Sequence, residues 1–567
     1  MNMTRGALFS MLNKNRYLWG FAALLCVYVC NLGIDIMEID AAQYASISRE
    51  MQESGSYLEV YHRGKDYLDK PPFLFWSSAL SFQLFGIHNW SYKLPALLVL
   101  LIGIYSTYRF SRLWYDEQRS RVAALVLAST QAYFLMTNDV RTDGLLTGWN
   151  MLAIWQLAAY LHSRHWRHLF VAAVSIALAM MSKGPLGLVL PGIALGGHLL
   201  LTRNYKAIFD YKWLLMLMMV ALLLLPMCIG LYQQFDMHPE KEVYGLQGPS
   251  GLKFFFWTQS FGRITGENYW QNDSPVYYFL QTMLWDLQPW VLLFFPALIW
   301  VLWLLVKDGL RLKHLPEGFS VSGFVLMLVV LSASRYKLPH YVFPLFPFAA
   351  IIVAHFLYTL QEAKPALLQR VGNWFLAFQV SFILAAMAVA TYLFPLKEWW
   401  AWMLIIGMGF LAYHFRKTLQ GVEAIVFPVI FIAGITGMVM ATAFYPALMA
   451  YQSTNTAGRW AQVHAPDADG FYFFSKGGHS LDFYAQRTVP QIFDHQLDTL
   501  QQETFIYTGV AGLAHFRSNY DGKFEVVWEA PDFTVSRLNF SFLLPNQRDQ
   551  AVKAAYIMRW QPEETVH

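Results

Sequence analysis

The chain has 567 residues, 56% of them apolar and 14% charged, against about 25% charged in soluble domains. Its 41 basic and 37 acidic residues are too few to cover a 65.3 kDa globule, and the mean hydropathy is +0.34. This excludes a soluble enzyme, a disordered chain and, at a net charge of only +4, a nucleic-acid binder driven by bulk charge.

A membrane span needs about 20 mostly apolar residues. In chain order the predicted spans are Tyr17–Ile34, Leu94–Tyr108, Val122–Thr137, Leu145–Leu161, Leu169–Met181, Leu186–Leu201, Trp213–Tyr232, Trp290–Val306, Phe319–Ser334, Tyr341–Leu360, Val371–Phe394, Trp399–His414 and Val422–Leu448, thirteen in all. Pro72–Ile87 is a further apolar stretch. The positive-inside rule decides whether it crosses. With thirteen spans and a cytoplasmic N-terminus, nineteen Lys and Arg fall inside, from Arg5, Lys14 and Arg16 to Arg416 and Lys417. A crossing at Pro72–Ile87 would put most of them outside. That stretch therefore reads as a helix at the outer interface, begun by Pro71-Pro72 and anchored by Phe73, Phe75 and Trp76. The first apolar run has no small-residue cleavage site after it and reads as a retained span. Cys26, Cys30 and Cys228 sit in apolar runs, where packing or lipid contact is expected rather than a disulfide framework.

Two long segments, 35–93 and 233–289, then lie on the outer side, and loops of that length are commonly functional. In the first, Tyr44, Ile47 and Met51 predict an amphipathic helix over Ala41–Met51. The composition changes near residue 450. Residues 450–567 hold 22 charged residues in 118, against 56 in the preceding 449. Strand patterns at Gly470–Ser475, Thr504–Thr508 and Phe524–Trp528, with helical patterns at Ser480–Ala485 and Leu497–Glu503, predict a small α/β domain on the outside. The expected fold is a polytopic α-helical membrane protein of about thirteen transmembrane helices, residues 1–449, followed by this C-terminal extracytoplasmic α/β domain, residues 450–567.

Cations on the inner side are explained by topology. Those on the outer side are not, and ionisable residues at a membrane edge are functional candidates. Asp35, Glu38 and Asp40 end the first span, and Lys70 precedes Pro71-Pro72. Asp139, Arg141 and Asp143 fill a short loop, and Lys183 stands in Ser182-Lys183-Gly184-Pro185. Arg263 and Glu267 lie in the second long loop, and Arg335 and Lys337 precede Leu338-Pro339. The topology gathers all of them on one face, a pattern suited to a lipid-phosphate substrate. Two plainer readings stay open here: Lys183 as a solvated loop lysine, and Asp139–Arg141–Asp143 as a local salt-bridge cluster. His62, His88 and His340 lack metal-ligand spacing, so no metal is expected. No Walker, dinucleotide or nucleophile-elbow motif occurs.

Three stretches resemble a known family. Ile39-Asp40-Ala41-Ala42-Gln43-Tyr44 with Tyr67-Leu68-Asp69-Lys70-Pro71-Pro72 is similar to the first outer loop of bacterial aminoarabinose transferases of lipid A. Ser182-Lys183-Gly184-Pro185 resembles their Lys-Gly-Pro motif, and Lys337-Leu338-Pro339-His340-Tyr341-Val342-Phe343-Pro344 their Lys-Leu-Pro-x-Tyr-x-x-Pro motif. Those enzymes stand with the protein O-mannosyltransferases in the glycosyltransferase C superfamily. The resemblance implies an inverting glycosyltransferase at the outer face of the bacterial inner membrane, using a polyprenyl-phosphate-linked sugar and no further cofactor. The N-terminus would be cytoplasmic and the C-terminal domain periplasmic. It implies Asp40 and Asp143 as the catalytic carboxylates. Lys70 with Tyr67, and Arg263, would bind the donor phosphate; Lys337 is expected to join them, supported by Arg141 and Lys183. Tyr44, Asp139 and Tyr341 are the candidates for other donor or acceptor contacts. The family's first-loop Asp-Glu pair is here Asp40-Ala41, which argues against a protein O-mannosyltransferase. The expected acceptor is lipid A or a related envelope lipid; a protein or glycan hydroxyl is the alternative. A lipid-phosphate transporter or flippase would place its charges near the bilayer midplane, often in two related halves. Here they gather at span ends and no repeat is visible.

Overall fold

The computed structural model describes residues 5–259, 262, 272, 274–466, 470–497, 500 and 502–561. A short α1 (Arg5–Lys14) leads into α2 (Arg16–Leu32). The first outer segment carries α3 (Asp40–Ser54), the hairpin β1 (Tyr61–His62) and β2 (Lys65–Asp66), and α4 (Phe73–Phe85). Then follow α5 (Asn89–Ser111), α6 (Glu117–Ala128), α7 (Gln131–Asn138), α8 (Thr142–Ser163), α9 (Trp166–Lys183), α10 (Leu186–Leu201), α11 (Tyr205–Ile208) and α12 (Lys212–Leu231). The second outer segment carries the hairpin β3 (Glu242–Val243) and β4 (Leu246–Gln247), and after it come the helices Val291–Lys307, Phe319–Ser332, Phe346–Ala363, Pro365–Leu393, Trp399–Thr418 and Glu423–Val439.

Among the described residues, five helices are long and apolar enough to cross a membrane: Asn89–Ser111, Tyr205–Asp236, Pro339–Ala363, Pro365–Leu393 and Glu423–Met449. Others, such as Arg16–Leu32 and Val291–Lys307, are apolar but shorter. The 13 residues of α4 span about 20 Å at a rise of about 1.5 Å each, less than the roughly 30 Å hydrocarbon layer. It packs instead on α3 and α5.

The predicted span Val122–Thr137 is two helices, α6 and α7. Ser129 sits at the break, with its hydroxyl donating to Leu125 O at 2.7 Å and accepting from Trp290 Nε1 at 2.8 Å. The Gln131 N–H freed by the break donates to Gln288 O at 2.8 Å. The predicted span Tyr341–Leu360 opens as a 3₁₀ helix, Pro339–Leu345, because Pro339, Pro344 and Pro347 supply no N–H for a regular α-helical first turn.

Small residues let the helices approach closely. A Cβ on Gly148 of α8 would lie 2.3 Å from the Val99 carbonyl oxygen of α5, an atom that cannot move aside. At Gly103 of α5 it would lie 3.0 Å from Gly148 Cα. Gly148→Ala is therefore expected to lower stability by about 1–3 kcal/mol, and more than Gly103→Ala, as measured by thermal unfolding in detergent.

The C-terminal region holds a sheet in the order β5 (Phe471–Phe473), β6 (Thr504–Gly509), β8 (Lys553–Trp560), β7 (Phe524–Asp532). β5 runs parallel to β6, and β8 runs antiparallel to both its neighbours. The sequence pattern missed β8, an interior strand. The helix expected over Leu497–Glu503 is instead Asp494–Leu497, and the described residues 500, 502 and 503 are not helical. Gln502 O accepts a bond from the Thr504 hydroxyl at 3.0 Å as the chain turns into β6.

Candidate active site

One end of the bundle opens into a cleft of about 990 Å³, counted to its mouth. Asp40 and Tyr44 reach it from the first two turns of α3, where a four-residue spacing puts both on one face. Lys70 and Pro71 enter from the first outer segment, Arg141 from the α7–α8 loop, and Asp143 from the first turn of α8. Lys183 comes from the last turn of α9, and His340 and Tyr341 from the 3₁₀ helix. An acid at the start of α8 and a base at the end of α9 suit the two helix dipoles. Because α8 and α9 run antiparallel, those two ends meet.

The charges are paired. Arg141 Nη1 donates to Asp40 Oδ2 at 2.5 Å and its Nε to Asp139 Oδ2 at 2.6 Å. Burial works against the Arg141 cation, but Asp139 and then Asp40 outweigh it and hold the guanidinium above its ordinary pKa. Lys183 pairs with Asp143, whose side chain is only 2% exposed. Lys183 Nζ also stands 3.9 Å from the centre of the Tyr341 ring, and His340 Nε2 lies 3.7 Å from Asp143 Oδ2. Lys70 pairs with Asp69, which accepts from Gln259 Nε2 at 2.8 Å through Oδ1. Among the described residues, Lys70, Arg141 and Lys183 thus face Asp40, Asp69, Asp139 and Asp143. Each of these cations already holds a carboxylate in this structure.

Asp139 stands behind Arg141 rather than in the cleft lining. Tyr67 also lies outside it, buried along an apolar groove formed by Leu68, Pro72, Met227, Leu231, Phe254 and Phe255. Its hydroxyl has no hydrogen-bond partner among the described residues. This groove shares Lys70, Pro71 and Gln259 with the cleft. Lys337 too is absent from the lining: its Nζ donates to Ser274 O at 3.1 Å and its backbone is bonded to Asn272. Arg263 and Glu267 lie outside the described residues. Sequence reasoning passed over His340 and Gln259. His340 lacks metal-ligand spacing, but its place beside Lys337-Leu338-Pro339 is a usable signal.

The C-terminal region grips the approach to Asp40. Asp35 accepts from Arg459 Nη1 at 2.9 Å and from Asn89 at 2.9 Å. Burial would raise the Asp35 carboxyl, but Arg459 outweighs it and the pKa falls below the usual value. Gln452 accepts from Glu38 N at 2.9 Å and donates to Ile36 O at 3.0 Å. Arg63 pairs with the fully buried Asp482 at 2.5 Å, and the Arg63 N–H donates to Glu50 Oε2 at 2.7 Å. Burial pushes the Glu50 carboxyl up to about 7, against the pull of Arg49 and the Arg63 N–H. In the unfolded chain a Glu titrates near about 4.3. The stability Glu50 contributes is therefore fully present below that value and is lost as pH rises toward 7. Glu50→Gln is expected to raise the melting temperature more near about pH 8 than near about pH 5, as read by thermal unfolding at the two values.

Residues 69–229 match the family described as dolichyl-phosphate-mannose-protein mannosyltransferase. The undecaprenyl phosphate-α-4-amino-4-deoxy-L-arabinose arabinosyl transferase 1 of Pseudomonas fluorescens is 27% identical over 319 residues, 55% of this chain and 54% of that protein. The enzyme of the same name from Photorhabdus laumondii is 25% identical over 378 residues, covering 65% of this chain and 64% of the other. The chain thus spans between half and two thirds of these curated relatives. The crystal structure of ArnT from Cupriavidus metallidurans bound to undecaprenyl phosphate superposes with a TM-score of 0.72 at 19% identity, covering 95% of this chain and 97% of that one. The chain has the fold of that ArnT structure and is similar in sequence to the aminoarabinose transferases named above and, over residues 69–229, to the mannosyltransferase family.

Proposed function

We propose that the protein is an inverting membrane glycosyltransferase. It moves a sugar from a polyprenyl-phosphate-linked donor to lipid A or a related envelope lipid at the outer face of the inner membrane. The observation that carries this is the cleft itself. Asp40, Lys70, Arg141, Asp143 and Lys183 come from four separate segments and converge beside an apolar groove.

The acceptor oxygen attacks C1 of the sugar from the face opposite the phosphate. The C1–O bond breaks and its electron pair stays on the phosphate, leaving a polyprenyl phosphate monoester. Cations beside that oxygen stabilise the growing charge, and no proton is needed there. Lys70 is the first such group, at the point where cleft and groove meet, with Arg141 and Lys183 deeper in. Lys337, just before the 3₁₀ helix, and Arg263, in the second outer segment, belong to the same proposal. The lone Tyr67 hydroxyl faces the lipid side of the donor. A hydroxyl acceptor gives its proton to Asp40. An acceptor phosphate is already anionic, and Asp40 then orients the sugar. Asp143 holds Lys183, Asp139 holds Arg141, and Tyr44 and Tyr341 shape the walls around the sugar.

Residues 1–449, with thirteen crossings, form the catalytic unit of this proposal. Residues 450–567 form a periplasmic domain, and the N-terminus is cytoplasmic. The match over residues 69–229 favours a second reading, a protein or glycan hydroxyl as acceptor. Mass spectrometry of the envelope from a strain lacking the gene separates the two. A sugar missing from lipid A phosphate supports the first reading. A sugar missing from a peptide or glycan, with lipid A unchanged, selects the second.

A further inference from the structure

At the end of the bundle opposite the cleft, a groove of about 1080 Å³, counted to its mouth, lies between the start of α2, the second half of α5 and the start of α6. Its wall is Leu18, Phe21, Leu101 and Ile104, and it opens sideways, where Leu18 is 65% exposed and Tyr105 51%. In a bilayer that opening faces lipid. The mouth carries Lys14 and Arg121. Arg121 lies 5.0 Å over the Tyr17 ring and donates to Glu117 Oε1 at 2.7 Å, while Tyr108 donates to the same carboxylate at 2.8 Å. Arg112 also pairs with Glu117, at 2.9 Å, and Arg16 with Glu423, at 2.8 Å. Arg109 donates to Tyr105 Oη at 2.7 Å. Lys14 is exposed and makes no ion pair among the described residues. Of these cations Lys14 and Arg121 line the groove; Arg121 shares the Glu117 carboxylate with Arg112, and Lys14 is left without a carboxylate of its own among the described residues.

We propose that this groove is a binding site for one anionic glycerophospholipid of the leaflet opposite the cleft. An acyl chain lies along Leu18, Phe21, Leu101 and Ile104, and the phosphate sits between Lys14 and Arg121. The apolar, sideways-open wall selects a lipid chain over water. The unbalanced cations select an anionic headgroup over a zwitterionic one, as basic pockets between helices do elsewhere. The site is separate from the cleft, so its occupant is not the sugar donor.

Native mass spectrometry of the purified full-length protein tests this, using phosphatidylglycerol and phosphatidylcholine of matched chains. The wild type is expected to retain phosphatidylglycerol preferentially. Lys14→Ala, a change at an exposed position, is expected to cut that preference about fivefold, the worth of one cation at an anionic surface. Lys364→Ala, an exposed cation at the same end but outside the groove, should leave it unchanged. Ile104→Trp, which fills the wall, should lower retention of both lipids. Equal retention of the two lipids by the wild type, an unaltered preference in Lys14→Ala, or displacement of the bound lipid by added polyprenyl phosphate would overturn the proposal.

Discussion

Asp40→Asn is expected to reduce sugar transfer by about a hundredfold or more, whether Asp40 is the base for a hydroxyl acceptor or orients the sugar for an anionic one, while donor binding stays largely intact. The asparagine keeps the shape of the side chain and its place at the start of α3. It loses the charge that Arg141 holds at 2.5 Å and with it the capacity to take a proton. Arg141 remains tied to Asp139 at 2.6 Å, so the cation should stay in the cleft. Turnover of a lipid-linked sugar by purified protein measures the first effect, and equilibrium binding of the donor the second. Wild-type turnover in the variant would remove Asp40 from the chemistry.

Lys70→Ala is expected to weaken binding of polyprenyl phosphate by about ten- to a hundredfold, the range for a lost hydrogen bond to a charged group. Its partner supplies the control. Asp69 competes for the Lys70 ammonium and also accepts from Gln259. Asp69→Asn removes the competing charge and is expected to tighten the same binding. A partly exposed Lys–Asp pair with a structural role alone would contribute little and would not move the two affinities in opposite directions. Titration of both variants with polyprenyl phosphate checks this, and a pair of unchanged affinities would count against Lys70 as the phosphate ligand.

Much of the cleft was legible in the sequence because membrane topology does part of the work of folding. Asp40, Lys70, Arg141, Asp143 and Lys183 all stand at one set of helix ends, and antiparallel neighbours such as α8 and α9 bring those ends together. The pairing within the cleft was not legible. Whether Lys183 faces a phosphate or Asp143 depends on helix rotation, which an almost uniformly apolar helix does not encode in its pattern. Tyr67 and Lys337 fall outside the lining for a related reason. Side-chain direction in an irregular segment follows its tertiary partners, here the apolar groove for Tyr67 and Asn272 with Ser274 for Lys337.

The break between α6 and α7 shows the same limit. The sequence Val122–Thr137 is apolar enough to run on, and the residues that stabilise the interruption, Gln288 and Trp290, are far away in the chain. Asp35 and Arg459 are 424 positions apart, so the grip of the C-terminal region on the approach to Asp40 has no local signature. The missed strand β8 lies in a charged stretch where the pattern in Lys553–Trp560 breaks at Ala554-Ala555.

The central claim is that this cleft breaks a sugar–phosphate bond and leaves a phosphate monoester. Phosphorus NMR follows that bond directly when the donor diester and the released polyprenyl monoester are resolved from the lipid A phosphate, since an acceptor phosphate becomes a diester in the same step. With purified full-length protein, a polyprenyl-phosphate-linked aminoarabinose donor and lipid A, the account predicts conversion of the lipid-linked diester to the monoester as the sugar appears on the acceptor. Asp40→Asn should hold the diester signal nearly constant over the same time. No conversion by the wild type, or equal conversion by the variant, would contradict it.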